Sequence, residues 1–400
     1  MNSFKQQSKK ELFKFYKELT KEQRKTLKNQ VRKIDFKFME KIYNNSFFDE
    51  KIEIDKISSL KIITNLSTIQ ENEYLKIGKK LVSNNEYAVV LMAGGFGSRL
   101  GLDYPKGCLK LNINNKKISL FEIYINRLKE ANKECNSNIK LYIMTSTENN
   151  DFTVNFFEEN NYFDYGKENI KFFIQDNKPI LDKNGKMLLK SKYEVLLGPN
   201  GNGDVYNALR KSGLIKKMKK ENIKFVLFTM IDNVASNIVD YSFIGAMIKN
   251  NYKLSSKTLF KENEESLDYV FCKYNNKPYL LPSRFITKDI TNKKDKNGNF
   301  LYRETNIAYH LIHIDYVEKF SKVNLKYNRA FKKNNYIDNN GNLIKPDKPN
   351  SFKFEKFIFD AFYYADDMLL YRINKKSFCP IKKSEDIKKA ENFLKEISNK

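Results

Sequence analysis

Apolar positions recur along the chain with two distinct periods. From Ser8 to Asn45 they fall at helical spacing: Leu12, Phe13, Phe15 and Tyr16 gather on one stripe, and Leu27, Val31, Ile34 and Phe38 on a second. Between the stripes, Leu19 followed by Thr20-Lys-Glu-Gln23 reads as a helix stop and a capping box. An irregular stretch from Phe47 to Ile69 leads into another helical segment, Tyr74–Ser83. The character changes at Glu86. Tyr87–Met92 is a continuous apolar run, as expected for a strand buried on both faces of a parallel sheet, and it stops at Ala93-Gly94-Gly95. Ile139–Met144, Ile170–Ile174 and Phe225–Ile231 are runs of the same kind, with amphipathic stretches Ser119–Glu130 and Val205–Met218 between them. Strand alternating with helix predicts an α/β fold, a single large and mostly parallel sheet flanked by helices. Ligands of such sheets bind beyond the carboxyl ends of the strands. No repeat, Pro-rich linker or low-complexity block divides the chain, so the expected organisation is an N-terminal helical extension (1–84), one large domain (85–382) and a helical tail (383–400).

Composition removes several function classes. The 400 residues are 41% apolar and 14% aromatic, which excludes a wholly disordered chain although 30% are charged. Cys108, Cys135, Cys272 and Cys379 lie far apart with no CxxC pair, which argues against a disulfide framework and a thiolate zinc site. With His310 and His313 as the only histidines, histidine-based metal chemistry has little to work with, and the pair reads as structural. No stretch approaches the ~18 apolar residues of a membrane span, and the Lys-rich first 30 residues lack the apolar core of a signal peptide. The expectation is a reduced, cytoplasmic protein with no membrane partner. The net charge of +25 would attract anions, but the excess is Lys spread along the chain among Asn and Ile, with Arg scarce. It reads as a solvated surface, and no nucleic-acid partner is expected.

The chemistry concentrates in one loop. Leu91-Met-Ala-Gly-Gly-Phe-Gly-Ser-Arg-Leu-Gly101, then Pro105-Lys106-Gly107, is glycine-rich and directly follows a strand. Glycines let backbone N–H groups approach an anion, Arg99 supplies a planar fork and Lys106 a point charge, a set suited to polyphosphate. The loop fits neither the P-loop, since Gly-Lys-Ser/Thr is missing, nor the dinucleotide fingerprint, since Gly95-x-Gly97 is not followed by a glycine three residues on. Phe225–Ile231 ends in Asp232, where a strand terminus can hold Mg²⁺ by carboxylate oxygen or cap the next helix.

These residues resemble the eukaryotic-type UDP-sugar pyrophosphorylase family, and within it the UDP-N-acetylglucosamine enzymes. The family pattern Leu-x-Gly-Gly-x-Gly-Thr-Arg-Leu-Gly, then Pro-Lys-Gly, is kept with Ser98 for Thr and Phe96 for Gln. The likeness runs from Leu19-Thr-Lys-Glu-Gln-Arg24 to Lys382. It implies a nucleotidyltransferase sheet (GT-A, Rossmann-like) in which Ala93, Gly94, Gly95, Gly97 and Ser98 hold the nucleotide and Arg99 and Lys106 act on its phosphates. In Phe172-Phe-Ile-Gln175 it implies that Gln175 reads the uracil, and in Pro199-Asn-Gly-Asn-Gly203 that Gly201 and Asn202 contact the nucleotide. Asp232 becomes the Mg²⁺ ligand. Asn306 in Asn306-Ile-Ala-Tyr-His310, and Phe357 and Phe359 in Phe354-Glu-Lys-Phe-Ile-Phe-Asp360, become sugar contacts, and Lys382 in Phe378-Cys-Pro-Ile-Lys382 a phosphate ligand.

Two segments depart from that pattern. Glu265-Ser-Leu-Asp268 stands where the family shows Glu-x-x-Gly, and Leu280-Leu-Pro-Ser283 where a strand should end Glu-Tyr. The chain also ends 18 residues after Lys382, where the resemblance leads one to expect a further β-rich domain, so the C-terminus reads as shortened. The implied activity is uridylyl transfer from UTP to a sugar 1-phosphate, N-acetylglucosamine 1-phosphate first and glucose or galactose 1-phosphate as alternatives. A sugar-nucleotide sensor without turnover, or a nucleic-acid binder, would be the non-catalytic readings. Oligomeric state is left open.

Overall fold

A computed structural model describes residues 4–45, 52–97, 100–263 and 267–398. The chain forms two compact units that interleave in sequence. One comprises Met1–Lys51, Asp176–Asp204 and Asn324–Ile358, the other Ile52–Gln175, Val205–Val323 and Phe359–Lys400.

In the first unit the N-terminal helical pattern resolves into α1 (Phe4–Leu12), α2 (Lys21–Arg32) and α3 (Phe36–Asn45). The capping box is present: the Gln23 N–H donates to Thr20 Oγ1 at 3.3 Å and the Thr20 N–H to Gln23 Oε1 at 3.0 Å. Leu12, Leu27, Val31 and Met39 from these helices share a core with Leu181, Leu189, Ile337 and Phe354. Small antiparallel sheets complete the unit, Asn177–Pro179 against Leu197–Pro199, and Ser351–Glu355 between Asn328–Lys332 and Leu181–Asp182.

The second unit is built on an 11-stranded sheet. Its strands are β1 (Ile57–Ser58), β2 (Lys61–Ile63), β3 (Tyr87–Met92), β4 (Lys140–Thr145), β5 (Ile170–Ile174), β6 (Phe225–Met230), β7 (Leu254–Phe260), β8 (Tyr269–Tyr274), β9 (Lys277–Pro282), β10 (Glu304–His313) and β11 (Leu369–Arg372). The order across the sheet is β2-β11-β7-β10-β6-β3-β4-β5. β6, β3, β4 and β5 pair parallel, as do β7, β11 and β2. β10 joins the two groups antiparallel to both β6 and β7, and the β8–β9 hairpin hangs from β10 through β8. The fold is α/β with a large, mostly parallel sheet flanked by helices. The apolar runs fill its core, with Val89, Val90, Leu141, Ile143, Val226, Leu227 and Phe228 fully buried or nearly so.

The helices of this unit include α4 (Thr68–Ser83), α5 (Leu120–Cys135), α6 (Asn150–Glu159), α7 (Val205–Lys211), α8 (Leu214–Lys220), α9 (Tyr241–Lys249), α10 (Ile314–Ser321) and α11 (Glu385–Ser398). Three sequence expectations are corrected. Val205–Met218 is two helices, because Gly213 takes φ +74° and breaks the ladder between them. The irregular stretch before Tyr74 contributes β1 and β2, and α4 already starts at Thr68 behind a Ser67 cap. The alternating run Phe354–Asp360 is strand only to Glu355 and turns into a 3₁₀ segment at Ile358–Tyr364. No helix among the described residues is long and apolar enough to cross a membrane.

Candidate functional site

β3 delivers the glycine loop beyond its carboxyl end, and the loop is tied down from both sides. The Ala93 N–H donates to Met144 O at 2.9 Å, and the fully buried Asn149 donates through Nδ2 to Ala93 O at 2.9 Å. On the return path, Phe96 bridges Pro105 and the Lys106 N–H reaches Gly95 O at 3.4 Å. The Lys106 ammonium is thereby carried back over the end of the sheet. Ser98 and Arg99, both assigned to the nucleotide by resemblance, lie outside the described residues.

The strand beside β3, β6, presents Asp232 at the same end of the sheet. Lys106 Nζ lies 3.6 Å from Asp232 Oδ2, and both side chains are largely buried. The turn carrying Asp232 is fixed by groups that no motif announces. Tyr124 Oη donates toward Met230 O and Asn233 O at 3.0 and 2.8 Å, and Arg127 donates to Ser236 O at 2.8 Å and Val234 O at 2.5 Å. Both belong to α5, and their only sequence signal is a tyrosine and an arginine three residues apart on a buried face. The segment before Lys382 adds itself to the same turn: Ile381 N–H donates to Asp232 O at 2.9 Å, and Cys379 N–H to Asn233 Oδ1 at 2.9 Å. Lys382, exposed, follows directly, its N–H held by Asp386 Oδ2 at 2.8 Å.

Gln175 stands one residue past β5. It is only 5% exposed, and its Oε1 is a buried acceptor with no partner. A Cβ added to Gly94 would fall 2.1 Å from Gln175 Nε2, so the glycine is what lets the amide lie against the loop. An orphaned buried acceptor is expensive unless a ligand supplies the donor. Loop 93–97, Lys106, Gln175, Asp232 and Lys382 thus belong to one unit and sit at the carboxyl ends of β3, β5 and β6 or beside the Asp232 turn.

Gly201 and Asn202 belong to the other unit, in a turn packed on its own residues 355–358. Gly201 has φ +87°, and a Cβ there would fall 2.7 Å from Lys356 O. Asn202 Oδ1 accepts from the Ile358 N–H at 3.0 Å. Burial raises the Asp204 carboxyl above its ordinary value, against the Asp176 N–H at 2.7 Å and Lys356 at 4.0 Å. Phe357 is half-buried beside this turn.

The predicted sugar residues Asn306 and Phe359 both fall in the sheet-bearing unit. β10 pairs Tyr309 with Thr229, so its stretch 304–308 overhangs the β6 end that carries Asp232. Asn306 Oδ1 accepts from the Ala308 N–H at 2.8 Å across a bulge at Ala308, whose φ is +56°. Phe359 packs on Tyr269 with ring centroids 4.9 Å apart. Both histidines make intramolecular contacts that account for them. His310 is fully buried with Nδ1 2.6 Å from Ser256 Oγ, and burial pushes it down to about 3; His313 caps α10.

Among the described residues no group of three His, Cys, Asp or Glu side chains gathers around a metal position. A single carboxylate at a strand end is nonetheless a fitting donor for Mg²⁺, which keeps waters and takes its other ligands from substrate phosphates.

With this geometry in hand, comparison with known proteins is informative. The family described as UTP–glucose-1-phosphate uridylyltransferase matches residues 33–399. The Dictyostelium discoideum protein named "Probable UDP-N-acetylglucosamine pyrophosphorylase" is 31% identical over 423 residues, spanning 100% of this chain and 87% of that one. The Saccharomyces cerevisiae UDP-N-acetylglucosamine pyrophosphorylase is 37% identical over 302 residues, 73% of this chain and 63% of the yeast protein. Among solved structures, the Trypanosoma brucei uridine diphosphate N-acetylglucosamine pyrophosphorylase superposes with a TM-score of 0.79 at 23% identity, covering 93% of this chain and 79% of that one, and shares the fold.

Proposed function

This chain belongs to the UTP–glucose-1-phosphate uridylyltransferase family, and from that premise we propose that it converts UTP and N-acetylglucosamine 1-phosphate into UDP-N-acetylglucosamine and pyrophosphate. The observation that carries the reading is the Lys106 ammonium 3.6 Å from the Asp232 carboxylate, over a glycine loop at the carboxyl end of the sheet. A phosphate oxygen of the sugar phosphate attacks the α-phosphorus of UTP, a new P–O bond forms, and the bond from that phosphorus to the bridging oxygen breaks as pyrophosphate leaves with the electron pair. The attacking oxygen is already anionic, so no general base is required, in keeping with a site that uses neither histidine.

Catalysis on this reading consists of alignment and charge neutralisation. The loop residues Ala93, Gly94, Gly95, Gly97, Ser98 and Arg99 are assigned to the triphosphate, the Ala93 N–H being already committed to Met144 O and the Gly97 N–H to Tyr104 O. Lys106 and Lys382 are assigned to neutralise the phosphates. Gln175 offers uracil an acceptor at Oε1 and a donor at Nε2, the complement of a pyrimidine imide edge. Gly201 and Asn202 are assigned to the nucleotide, and Asn306, Phe357 and Phe359 to the sugar. Asp232 would hold Mg²⁺, which when bound withdraws charge from the phosphate oxygens. The free thiols Cys108, Cys135, Cys272 and Cys379 suit a reducing compartment such as the cytoplasm.

A hexose 1-phosphate is the second reading, favoured by Pro282, which presents no polar side chain where a glutamate is expected. The test is pyrophosphate release with UTP, CTP and ATP against N-acetylglucosamine, N-acetylgalactosamine, glucose and galactose 1-phosphates in Mg²⁺. UTP with N-acetylglucosamine 1-phosphate should give the highest kcat/KM. Preference for another nucleotide, or no release with any sugar, overturns the proposal.

A further inference from the structure

Lys382 has a long and exposed side chain, so where its ammonium can reach is set first by where its backbone is held. Residues 379–381 run antiparallel to the Asp232 turn, with Pro380 opposite Asn233. The Ile381 N–H donates to Asp232 O at 2.9 Å and the Val234 N–H to Cys379 O at 3.2 Å. Those two bonds flank the Asn233–Pro380 pair, which makes it the kind of pair in which neither member donates across the bridge. Proline has no N–H to give, so it suits that position, and a slip by one residue would ask Pro380 for a donor it lacks. The register that sets Lys382 one residue past the Asp232 contact is thus built into Cys379-Pro-Ile-Lys382.

The side chain of Asn233 completes the join. It is 5% exposed, and its Oδ1 accepts from the Cys379 N–H at 2.9 Å and from the Ala235 N–H at 3.3 Å. The first bond crosses to the Lys382 segment, and the second closes the turn after Asp232. Ile381 is fully buried, and beyond it Asp386 Oδ2 accepts from the Lys382 and Lys383 N–H groups at 2.8 and 2.9 Å. The Lys382 backbone is therefore clamped on one side by the Asp232 turn and on the other by Asp386.

We propose that Asn233 is a positioning residue for uridylyl transfer: its amide oxygen fastens the Lys382 backbone to the turn that carries Asp232, so that ammonium and carboxylate meet the substrate phosphates as one body. The inference rests on the uridylyl-transfer reading of this site and adds to it a residue that acts through Lys382.

Asn233→Ser separates the two bonds. A serine hydroxyl can still accept from the N–H two residues on and close the turn, but it is too short to keep the Cys379 N–H. In steady-state pyrophosphate release, Lys382→Ala should lower kcat on the order of 10²-fold in the parent and only about tenfold in the Asn233→Ser background, because a lysine no longer held in place has less to lose. A general structural weakening would leave the Lys382→Ala cost equal in both backgrounds, and that result overturns the inference. So does an Asn233→Ser enzyme with the kcat of the parent. Hydrogen exchange on the parent reads the tether without any variant: the Cys379 and Ile381 amides should be protected as strongly as that of Val234, and exchange at the rate of an open loop overturns it. Should the parent release no pyrophosphate, the reaction reading fails, and calorimetry of UTP binding decides the role of Asn233. A smaller penalty for Lys382→Ala in Asn233→Ser than in the parent keeps that role, and an equal penalty removes it.

Discussion

Replacing Gly94 with alanine tests the base-reading geometry at a single atom. The added Cβ falls 2.1 Å from Gln175 Nε2, more than an ångström inside van der Waals contact. The loop backbone has little freedom to yield, because Ala93 is bonded at both its N–H and its carbonyl. The Gln175 amide must move instead, taking with it the acceptor that has no protein partner. Leaving a buried polar group mispaired costs about 1–3 kcal/mol. Expressed against UTP, that is roughly a 5- to 150-fold fall in kcat/KM at similar stability. The assay is pyrophosphate release with UTP varied at saturating sugar 1-phosphate, in Gly94→Ala, Gln175→Ala and the double variant. In the Gln175→Ala background the clashing nitrogen is gone, so the alanine at 94 should add little, and the cycle should be strongly non-additive. A Gly94→Ala enzyme within twofold of the parent, or a fully additive double variant, would refute the claim that the glycine exists to seat that amide.

Three further outcomes are expected. Lys106→Ala should fold normally and lose on the order of 10²–10³-fold in turnover, the effect of removing one charge-stabilising donor, and turnover near that of the parent would remove Lys106 from the mechanism. His310 is held near 3 by burial against an unfolded value of about 6.5, so the unfolded chain takes up the proton and the folded one does not. Its contribution is therefore present above pH 6.5 and lost as pH falls toward 3, at about 1.4 kcal/mol per pH unit, and urea titrations at pH 7 and pH 5 should show a smaller loss for His310→Gln than for the parent. Arg372 reaches Glu304 Oε1 through Nε at 2.8 Å and Nη2 at 2.6 Å, and Glu304 is almost wholly buried. Arg372→Ala should cost about 3–5 kcal/mol in denaturant unfolding by stranding that carboxylate, and a loss below 1 kcal/mol would contradict it.

The parallel strands were legible because full burial on both faces forces near-continuous apolar runs, and β3, β4, β5 and β6 appear within one residue of the expected ends. β7 was not. Its Ser255, Ser256, Lys257 and Thr258 are all buried, a composition that reads as loop. The structure shows how a polar strand survives in the sheet: Ser255 Oγ donates to Leu369 O at 2.8 Å, Ser256 meets His310, Lys257 pairs with Asp240 at 2.6 Å, and Thr258 donates to Glu304. Periodicity carries no information about partners so distant in sequence. At the site, the loop, Lys106, Gln175 and Asp232 were visible as motif residues. Tyr124, Arg127 and Asn149, which hold them, act through backbone carbonyls and leave no pattern.

The interleaved chain has a consequence for synthesis. α1, α2 and α3 emerge first, yet Ile337 and Phe354, which share a core with Leu27 and Val31, emerge only after more than four-fifths of the protein has been made. At ordinary elongation rates the nascent helices therefore wait roughly 15 to 60 s with their oily faces uncovered. During that interval the ribosome displays amphipathic helices that Leu181 and Leu189 can cover only in part before the last segment arrives, a natural handle for a chaperone and a weak point for aggregation in any truncated product.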